Sequence, residues 1–557
     1  MSREEPRPTA PSAALRAVQH YQELLAREPD SRSVHAGLAA ALFDYAYELR
    51  RDGKLDAAVA AFAQAAKFAP DRAVTWVAFG NACMELELAT VRTPRVVAGD
   101  DDLVAHALAA FSRAAVLQAD APLVVARRAM AARYACAWTQ AGQAEADLVR
   151  LARERPAEFA CDPFSAAALL TDPLMQRRGI EGWCRTELPA PAAPGLVRRR
   201  GTRLRLGYLS SDLHDHATAH LAAGLFERHD RARFEVFAYA CDRDDGSAMR
   251  ARLRGAFEHW RDLTGTNDAD AAKAMADDAL DVLVDLKGHT DGARPGIIAR
   301  RPAPVQLHYL GFPGTLAYGA IDGIVVDDVV APRGSEDEFA ERLVRLPVCY
   351  QVNDDRRQLP AAASRADAGL PADALVIACF NQTYKLTQPF VAAWLDVLHE
   401  HGDAVLWLAV PHALARRNLH RFAEAHGVAP ERVIFAPMLP QTAHLARLQC
   451  ADLALDVLPF GSHTTGSDAL FAGVPLLTCR GTTFAGRVGA SLCRAVDLME
   501  LVTESLDEYR GRLRALCADR RRLAHYRMHL RDRGRLALFD TQAFTRAYED
   551  ALTACAR

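Results

Sequence analysis

From about Ala13 to Cys184 the apolar positions recur every three to four residues and alanine is abundant, which predicts amphipathic helices packed closely on one another. The proline-rich stretch Leu188-Pro189-Ala190-Pro191-Ala192-Ala193-Pro194 ends that pattern. After it, short apolar runs at 203–210, 234–239, 282–286, 305–309 and 324–326 read as buried strands, with amphipathic stretches such as 268–280 between them. A second proline- and alanine-rich joint, 359–371, restarts the alternation, and strands follow at 375–380, 405–410, 432–435, 453–458 and 474–478. Alternation of this kind predicts mostly parallel sheets with helices on both faces, hence two doubly wound, Rossmann-like α/β domains in tandem. The expected bounds are 1–187 for the helical region, 188–360 for the first α/β lobe and 361–557 for the second. A last helix, capped at Asp540 or Thr541, puts Phe544, Tyr548 and Leu552 on one stripe and is expected to pack back onto the globule.

The helical region repeats itself. Tyr21 precedes Pro29 at the same offset as Phe62 precedes Pro70, and the run from Leu55 to Phe62 is echoed from Leu103 to Phe111. These aromatics are spaced more widely than the ~34 residues of a tetratricopeptide unit. Insertions such as Thr90-Val91-Arg92-Thr93-Pro94-Arg95 account for the excess, so the region reads as degenerate tetratricopeptide-like repeats. Alanines let paired helices approach, the aromatics fill the gaps as core, and the concave face of such a stack suits an extended polypeptide acceptor.

Composition narrows the partners. A formal net charge of −3 gives no reason to expect nucleic acid, and the basic runs Arg198-Arg199-Arg200 and Arg520-Arg521-Arg522 lack interleaved aromatics, as solvated faces do. The twelve cysteines form no C-x-x-C pair and do not cluster with histidines, so neither zinc nor a disulfide framework is expected. With no apolar leader and no apolar run of membrane length, the expectation is a cytoplasmic protein with no membrane partner.

Candidate chemistry gathers at predicted strand ends. Pro459-Phe460-Gly461-Ser462-His463-Thr464-Thr465-Gly466-Ser467-Asp468 sits between an apolar strand and a short helix. Backbone N–H groups at such a helix start, with the Thr464 and Thr465 hydroxyls, can hold a phosphate, and Asp468 can accept from a ribose diol. The competing structural reading is an ordinary capped helix with His463 in its turn. Asn381-Gln382-Thr383-Tyr384-Lys385-Leu386-Thr387 brings a lysine suited to a pyrophosphate, and His444 and Arg447 share one helix face. In the first lobe, Ser211-Asp212-Leu213-His214-Asp215-His216-Ala217-Thr218-Ala219-His220 offers a base, a hydroxyl-positioning group or simply a helix cap. Lys287-Gly288-His289-Thr290-Asp291-Gly292-Ala293-Arg294 and Gly311-Phe312-Pro313-Gly314-Thr315 end neighbouring strands and are expected on the sugar and acceptor side. The triplet Asp242-Arg243-Asp244 fits the spacing of a metal-binding D-x-D motif, a reading set aside because the cationic loops already account for a diphosphate.

In order along residues 203–495, the pieces HDHATAH, GHTDGAR, RRPAPVQ with YLGFPGT, FNQTYK, LPQTAHLAR and HTTGSDALFAGVPLLT resemble the O-GlcNAc transferases and their SPINDLY-like relatives. The resemblance implies a GT-B fold and an inverting, metal-independent transfer of N-acetylglucosamine from UDP-GlcNAc to protein Ser/Thr hydroxyls, with no cofactor. It further implies that Gln382 and Lys385 hold the diphosphate, that His444 and Arg447 flank uracil and ribose, and that Thr464 and Thr465, beside His463, donate to phosphate. Asp468 would bind the ribose. His216 matches a histidine whose role in the family is disputed between base and positioning residue. Gln441 stands where animal members carry a lysine, and the insert those members have between lobes is missing, which indicates a compact bacterial-type homologue. The alternatives are another donor on the same scaffold, GDP-fucose or UDP-glucose, or a peptide-binding scaffold with vestigial lobes.

Overall fold

The computed structural model describes residues 12–92, 102–193, 195 and 201–557. Residues 1–11, the insertion residues Thr93-Pro94-Arg95, Pro194 and the run Arg198-Arg199-Arg200 lie outside the described residues. The chain forms two compact units, one of residues 1–148 with 411–418 and one of 149–410 with 419–557.

The first unit is helical. Ala13–Arg27 pairs with Arg32–Arg51, Leu55–Phe68 with Ala73–Arg92, and Leu103–Leu117 with Pro122–Tyr134. Ser12 and Asp102 start two of these helices by accepting from the N–H groups of Leu15 and Ala105. The aromatics serve the packing expected of them. A Cβ at Gly37 would fall 2.2 Å from the Tyr21 ring and one at Gly80 2.7 Å from Phe111, so each glycine is the slot its aromatic fills. The segment 411–418 belongs to this unit: His412 Nδ1 lies 2.6 Å from Glu87 Oε1, and Asn418 Nδ2 donates to the Ala135 carbonyl at 2.9 Å.

The second unit carries two sheets. Strands β1 (Leu204–Ser210), β2 (Phe234–Ala240), β3 (His259–Asp262), β4 (Val282–Asp285), β5 (Val305–His308), β6 (Gly323–Asp327) and β7 (Arg342–Leu346) form a parallel sheet of order β3-β2-β1-β4-β5-β6-β7. Strands β8 (Leu375–Cys379), β9 (Ala404–Leu408), β10 (Val433–Phe435), β11 (Leu453–Leu455), β12 (Leu476–Cys479) and β13 (Val502–Thr503) form a second, also parallel, of order β10-β9-β8-β11-β12-β13. Their central strands are buried on both faces, as helix-covered parallel sheets must be. This is the tandem doubly wound architecture predicted from the alternation.

One boundary differs from expectation. The helices Pro163–Leu169 and Pro173–Glu187, expected with the repeats, pack on the lobes instead: Phe164 stands 5.3 Å from Tyr384 and 5.8 Å from Phe460 by ring centroid, and Trp183 stands 5.5 Å from His289. The C-terminal helix packs back onto the globule, as its apolar stripe predicts. The final helix, Thr541–Cys555, crosses back to the first sheet, where Tyr548 packs 5.1 Å from Tyr309 and Glu549 lies 3.0 Å from His229 Nδ1. The apolar stripe read from the sequence therefore finds its partner across the lobe boundary. Asp327, fully buried at the end of β6, ties the lobes again by accepting from Ser491 Oγ at 2.6 Å and from the Tyr350 N–H at 2.7 Å. The twelve cysteines are free, and among the described residues no helix is long and apolar enough to cross a membrane.

Loops at the strand ends are packed backbone to backbone. At Gly311 a Cβ would meet the Leu286 carbonyl oxygen at 2.2 Å, so the turn after β5 can lie on the turn after β4 only without a side chain. Gly311→Ala should therefore lower stability by about 1–3 kcal/mol as the two turns are forced apart. A fall in the thermal midpoint checks this; an unchanged midpoint would show that the turns separate freely.

Candidate functional site

Strand order reverses between β1 and β4 in one sheet and between β8 and β11 in the other, and ligands of open parallel sheets bind outside the strand ends at such points. Both reversals carry chemistry here.

In the second lobe the site is built on Asp456. This fully buried carboxylate ends β11 earlier than the sequence pattern suggests, because it turns to accept from the N–H groups of Val457 at 2.8 Å and Ser462 at 2.6 Å and from Thr478 Oγ1 at 2.7 Å. The loop 457–462 is thereby fixed, and helix Thr464–Phe471 starts sooner than predicted. Among the described residues no side chain caps that helix, and the N–H groups of Thr464, Thr465 and Gly466 have no acceptor. An open first turn of this kind can bind an anion. Thr465 Oγ1 donates to Asn381 Oδ1 at 2.9 Å, while Asn381 Nδ2 donates to Ser462 Oγ at 2.8 Å, which locks the turn after β8 to this helix start.

Lys385 enters from the β8 side. Its Nζ donates to the Gly461 carbonyl at 2.8 Å and lies 4.3 Å from the Phe460 ring centroid. Burial lowers its pKa to about 8, against the opposing pull of Asp456. His463 stacks on Phe460, donates Nε2–H to the Ala485 carbonyl at 3.1 Å, and is held neutral by burial, its pKa lowered to about 3. Gln382 is exposed beside the turn Thr383–Lys385.

His444 and Arg447 share a helix face as expected. Arg447 donates to His444 Nδ1 at 3.3 Å and stands 4.9 Å from the Phe380 ring centroid; burial lowers the histidine to about 4, so it is a neutral ring with its proton on Nε2. Asp468 is not an idle acceptor. Arg357 donates to its Oδ1 at 2.5 Å and Gln441 to its Oδ2 at 3.1 Å, so a ribose would have to share the carboxylate with both. Arg357 carried no sequence signal, because it reaches the site from the joint between the lobes.

In the first lobe His216 caps helix Ala217–Arg228, its Nδ1 accepting from the Thr218 N–H at 3.2 Å, with 41% of the side chain exposed. The cap reading of HDHATAH is thus structurally real. His214 lies 3.1 Å from Asp242 and His220 2.7 Å from Asp215. Asp242 also pairs with Arg250, so the acidic triplet is committed internally; among the described residues no group of three or more His, Cys, Asp or Glu is placed to hold a metal ion. Lys287 and Asp212, unremarked in their motifs, form a buried ion pair at 2.7 and 2.8 Å across β4 and β1.

Part of the expected acceptor side has its polar atoms bonded within the fold. His289 Nε2 lies 2.7 Å from the Leu316 carbonyl, and burial lowers its pKa to about 4. Thr315 donates to Glu341 at 2.7 Å, and Phe312 and Pro313 are buried. These three residues and His289 shape the edge; only Gly311 and Gly314 of this turn are partly exposed.

The sequence matches Glycosyl transferase family 41 over residues 193–365 and 358–548. It is 36% identical over 407 residues to the probable UDP-N-acetylglucosamine--peptide N-acetylglucosaminyltransferase SEC of Arabidopsis thaliana, covering 70% of this chain and 42% of that protein. It is 26% identical over 468 residues to the UDP-N-acetylglucosamine--peptide N-acetylglucosaminyltransferase of Caenorhabditis elegans, covering 64% and 41%. The chain thus spans less than half the length of these relatives. A solved mutant of the Thermobaculum terrenum O-GlcNAc transferase superposes with a TM-score of 0.72 at 29% identity, covering 94% of this chain and 98% of that one.

The Lys385 environment generates a pH prediction. A lysine with its pKa lowered to about 8 binds an anion as the cation and must take up a proton above that pH. Pyrophosphate affinity should fall as pH rises through about 8 relative to Lys385→Met, which supplies the baseline for the probe's own titration. Parallel pH profiles for parent and variant, read by calorimetry, would remove Lys385 from the anion site.

Proposed function

The chain belongs to glycosyl transferase family 41, and on that premise we propose that it transfers N-acetylglucosamine from UDP-GlcNAc to Ser/Thr hydroxyls of a protein, with inversion and without a metal ion. The observation that carries the reading is the open start of helix Thr464–Phe471 beside Lys385, where the N–H groups and a buried cation converge on one switch point. The acceptor oxygen bonds to the sugar C1 as the bond from C1 to the diphosphate oxygen breaks, its electron pair leaving with UDP. Charge grows on that diphosphate. Lys385, the first-turn N–H groups and the Thr464 hydroxyl answer it without reorganising, as a divalent cation does in other sugar transferases. Asp468, Gln441, His444 and Arg447 form the nucleoside end. An acceptor segment lies along the helical repeats, with its hydroxyl on the His216 side, in a cytoplasmic setting.

Mass spectrometry of lysate proteins incubated with the enzyme and UDP-GlcNAc tests the reaction: a HexNAc adduct on Ser or Thr is the expected product. Thermal shift against UDP, GDP, UDP-glucose and GDP-fucose tests the donor, and stabilisation by GDP alone would overturn the uridine assignment. UDP should bind equally with and without excess chelator; binding lost on chelation defeats the metal-free reading. Lys385→Ala should lower kcat on the order of 10²–10³ while weakening donor binding less, because its charge acts on the transition state.

A further inference from the structure

We propose that Arg357 is a specificity residue of the donor site: it pins Asp468 through Nη2 and gives an N–H of Nη1 to an oxygen of the ribose diol, so that a carboxylate and a guanidinium read the sugar ring together. The inference deepens the reading above and rests on its nucleoside end. It does not depend on the base, because uridine and guanosine carry the same ribose.

The side chains of Arg357 and Asp468 are only 5% and 4% exposed. A guanidinium and a carboxylate brought together in this way commonly align both terminal nitrogens with both oxygens. This pair does not. Nη2 donates to Oδ1 at 2.5 Å, while Oδ2 accepts from Gln441 Nε2 at 3.1 Å. Nη1 is left buried with no hydrogen-bond partner among the described residues. A guanidinium has no acceptor atom and keeps its charge, so Nη1 can be satisfied only by an oxygen or another acceptor. Both terminal nitrogens sit on one planar fork, which places that acceptor beside the Asp468 carboxylate.

The fork is held by its surroundings. Its central carbon stands 4.6 Å from the Phe471 ring centroid, and Arg533 flanks the same ring at 4.9 Å. The preceding chain is fixed as well: the Asn353 carbonyl accepts from Thr541 Oγ1 at 2.7 Å, the Asp355 N–H donates to that hydroxyl oxygen at 2.9 Å, and the fully buried Asp354 accepts from Arg252 Nη1 at 2.6 Å. Ser467 Oγ donates to Asn353 Oδ1, so this joint also touches the helix start. Thr464, Ser467 and Asp468 stand three and four residues apart, hence on one face of helix Thr464–Phe471, and Arg357 lies along the face that leads to the open turn. His444 is near enough to feel the same charges: burial lowers its pKa to about 4, Asp468 opposes that shift, and Arg447 and Arg357 add to it. A ligand anchored by an anion at Thr464 therefore meets an acceptor and a donor on one ion pair. A vicinal diol suits both, one hydroxyl donating to Asp468 while an oxygen accepts from Nη1. Phosphate offers acceptors alone, and a deoxyribose lacks one of the two hydroxyls.

Calorimetry on the full chain with UDP, GDP, the 2′-deoxy and 3′-deoxy forms of each, and inorganic pyrophosphate tests this. Arg357→Met should weaken the ribonucleotide roughly 10- to 100-fold, the size of a lost charge-assisted hydrogen bond, and pyrophosphate far less. At least one deoxy form should lose several-fold less than the ribonucleotide does, because the oxygen that Nη1 bonds is already gone. Arg357→Lys keeps the charge without the fork and should stay weakened. Equal losses for the ribonucleotide and both deoxy forms, or full recovery in Arg357→Lys, overturn the proposal. Should Arg357→Met not fold, Arg357→Met combined with Asp468→Asn leaves no unpaired buried charge; it should bind pyrophosphate without preferring ribose over the deoxy sugars, and a retained preference is equally decisive against. The outcomes also separate this inference from the transferase reading. If neither nucleotide binds the parent, the nucleoside end and this inference fall together. If nucleotides bind as expected and no sugar is transferred, only the transferase reading fails. If sugar is transferred and Arg357→Met leaves ribonucleotide affinity unchanged, only this inference fails.

Discussion

The candidate site of the second lobe depends on one buried carboxylate. Asp456 is shut away from bulk solvent, so it gathers two backbone N–H groups and the Thr478 hydroxyl, and the loop from Val457 to Ser462 takes its course from those bonds. That course presents the Gly461 carbonyl to Lys385 and leaves the helix from Thr464 uncapped. It also constrains the surroundings: a Cβ at Gly489 would fall 2.2 Å from Asp456 Oδ2. Burial raises the pKa of Asp456 against the hydrogen bonds it accepts from Thr478, Ser462 and Val457, and burial lowers that of Lys385 against the pull of Asp456.

The first lobe places a lysine and an aspartate at its own switch point with the opposite outcome. There Asp212 follows β1 and Lys287 follows β4, and they meet in a direct bidentate pair. In the second lobe Lys385 follows β8 and Asp456 ends β11, and the lysine bonds a carbonyl rather than the carboxylate. A direct buried pair is satisfied internally and is costly to break, about 3–5 kcal/mol when one partner is removed. A lysine on a carbonyl keeps its charge for a ligand. Similar residues at equivalent strand ends therefore give a fixed scaffold on one side of the cleft and a receptive anion site on the other.

The lobes themselves are joined by deeply buried contacts. Asp327 receives Ser491 from the second lobe, and the C-terminal helix completes the core of the first through Tyr548 and Glu549. Arg357 approaches Asp468 from the joint between the sheets, so the proposed nucleoside end includes a residue belonging to neither lobe's strand ends. The likeness to a solved O-GlcNAc transferase extends over 94% of this chain, which puts the helical region as well as the lobes within the shared architecture.

Much of this was present in the sequence, because period is a local property. Helical spacing before the proline-rich linker and apolar runs after it predicted repeats and two parallel sheets, and parallel sheets place their ligand loops at strand ends. Thus Lys385, the HTTG helix start, the His444/Arg447 face and His216 were all found as motifs. What the tertiary structure decided was which polar atoms remain available. Thr315 and His289 looked like ligand groups in sequence, yet Glu341 and the Leu316 carbonyl take them; Asp468 looked free, yet Arg357 and Gln441 hold it. Lys287 and Asp212 were ordinary members of two motifs until β1 and β4 were paired. A hydrogen bond between residues distant in the chain leaves no period and no spacing, so only the fold records it.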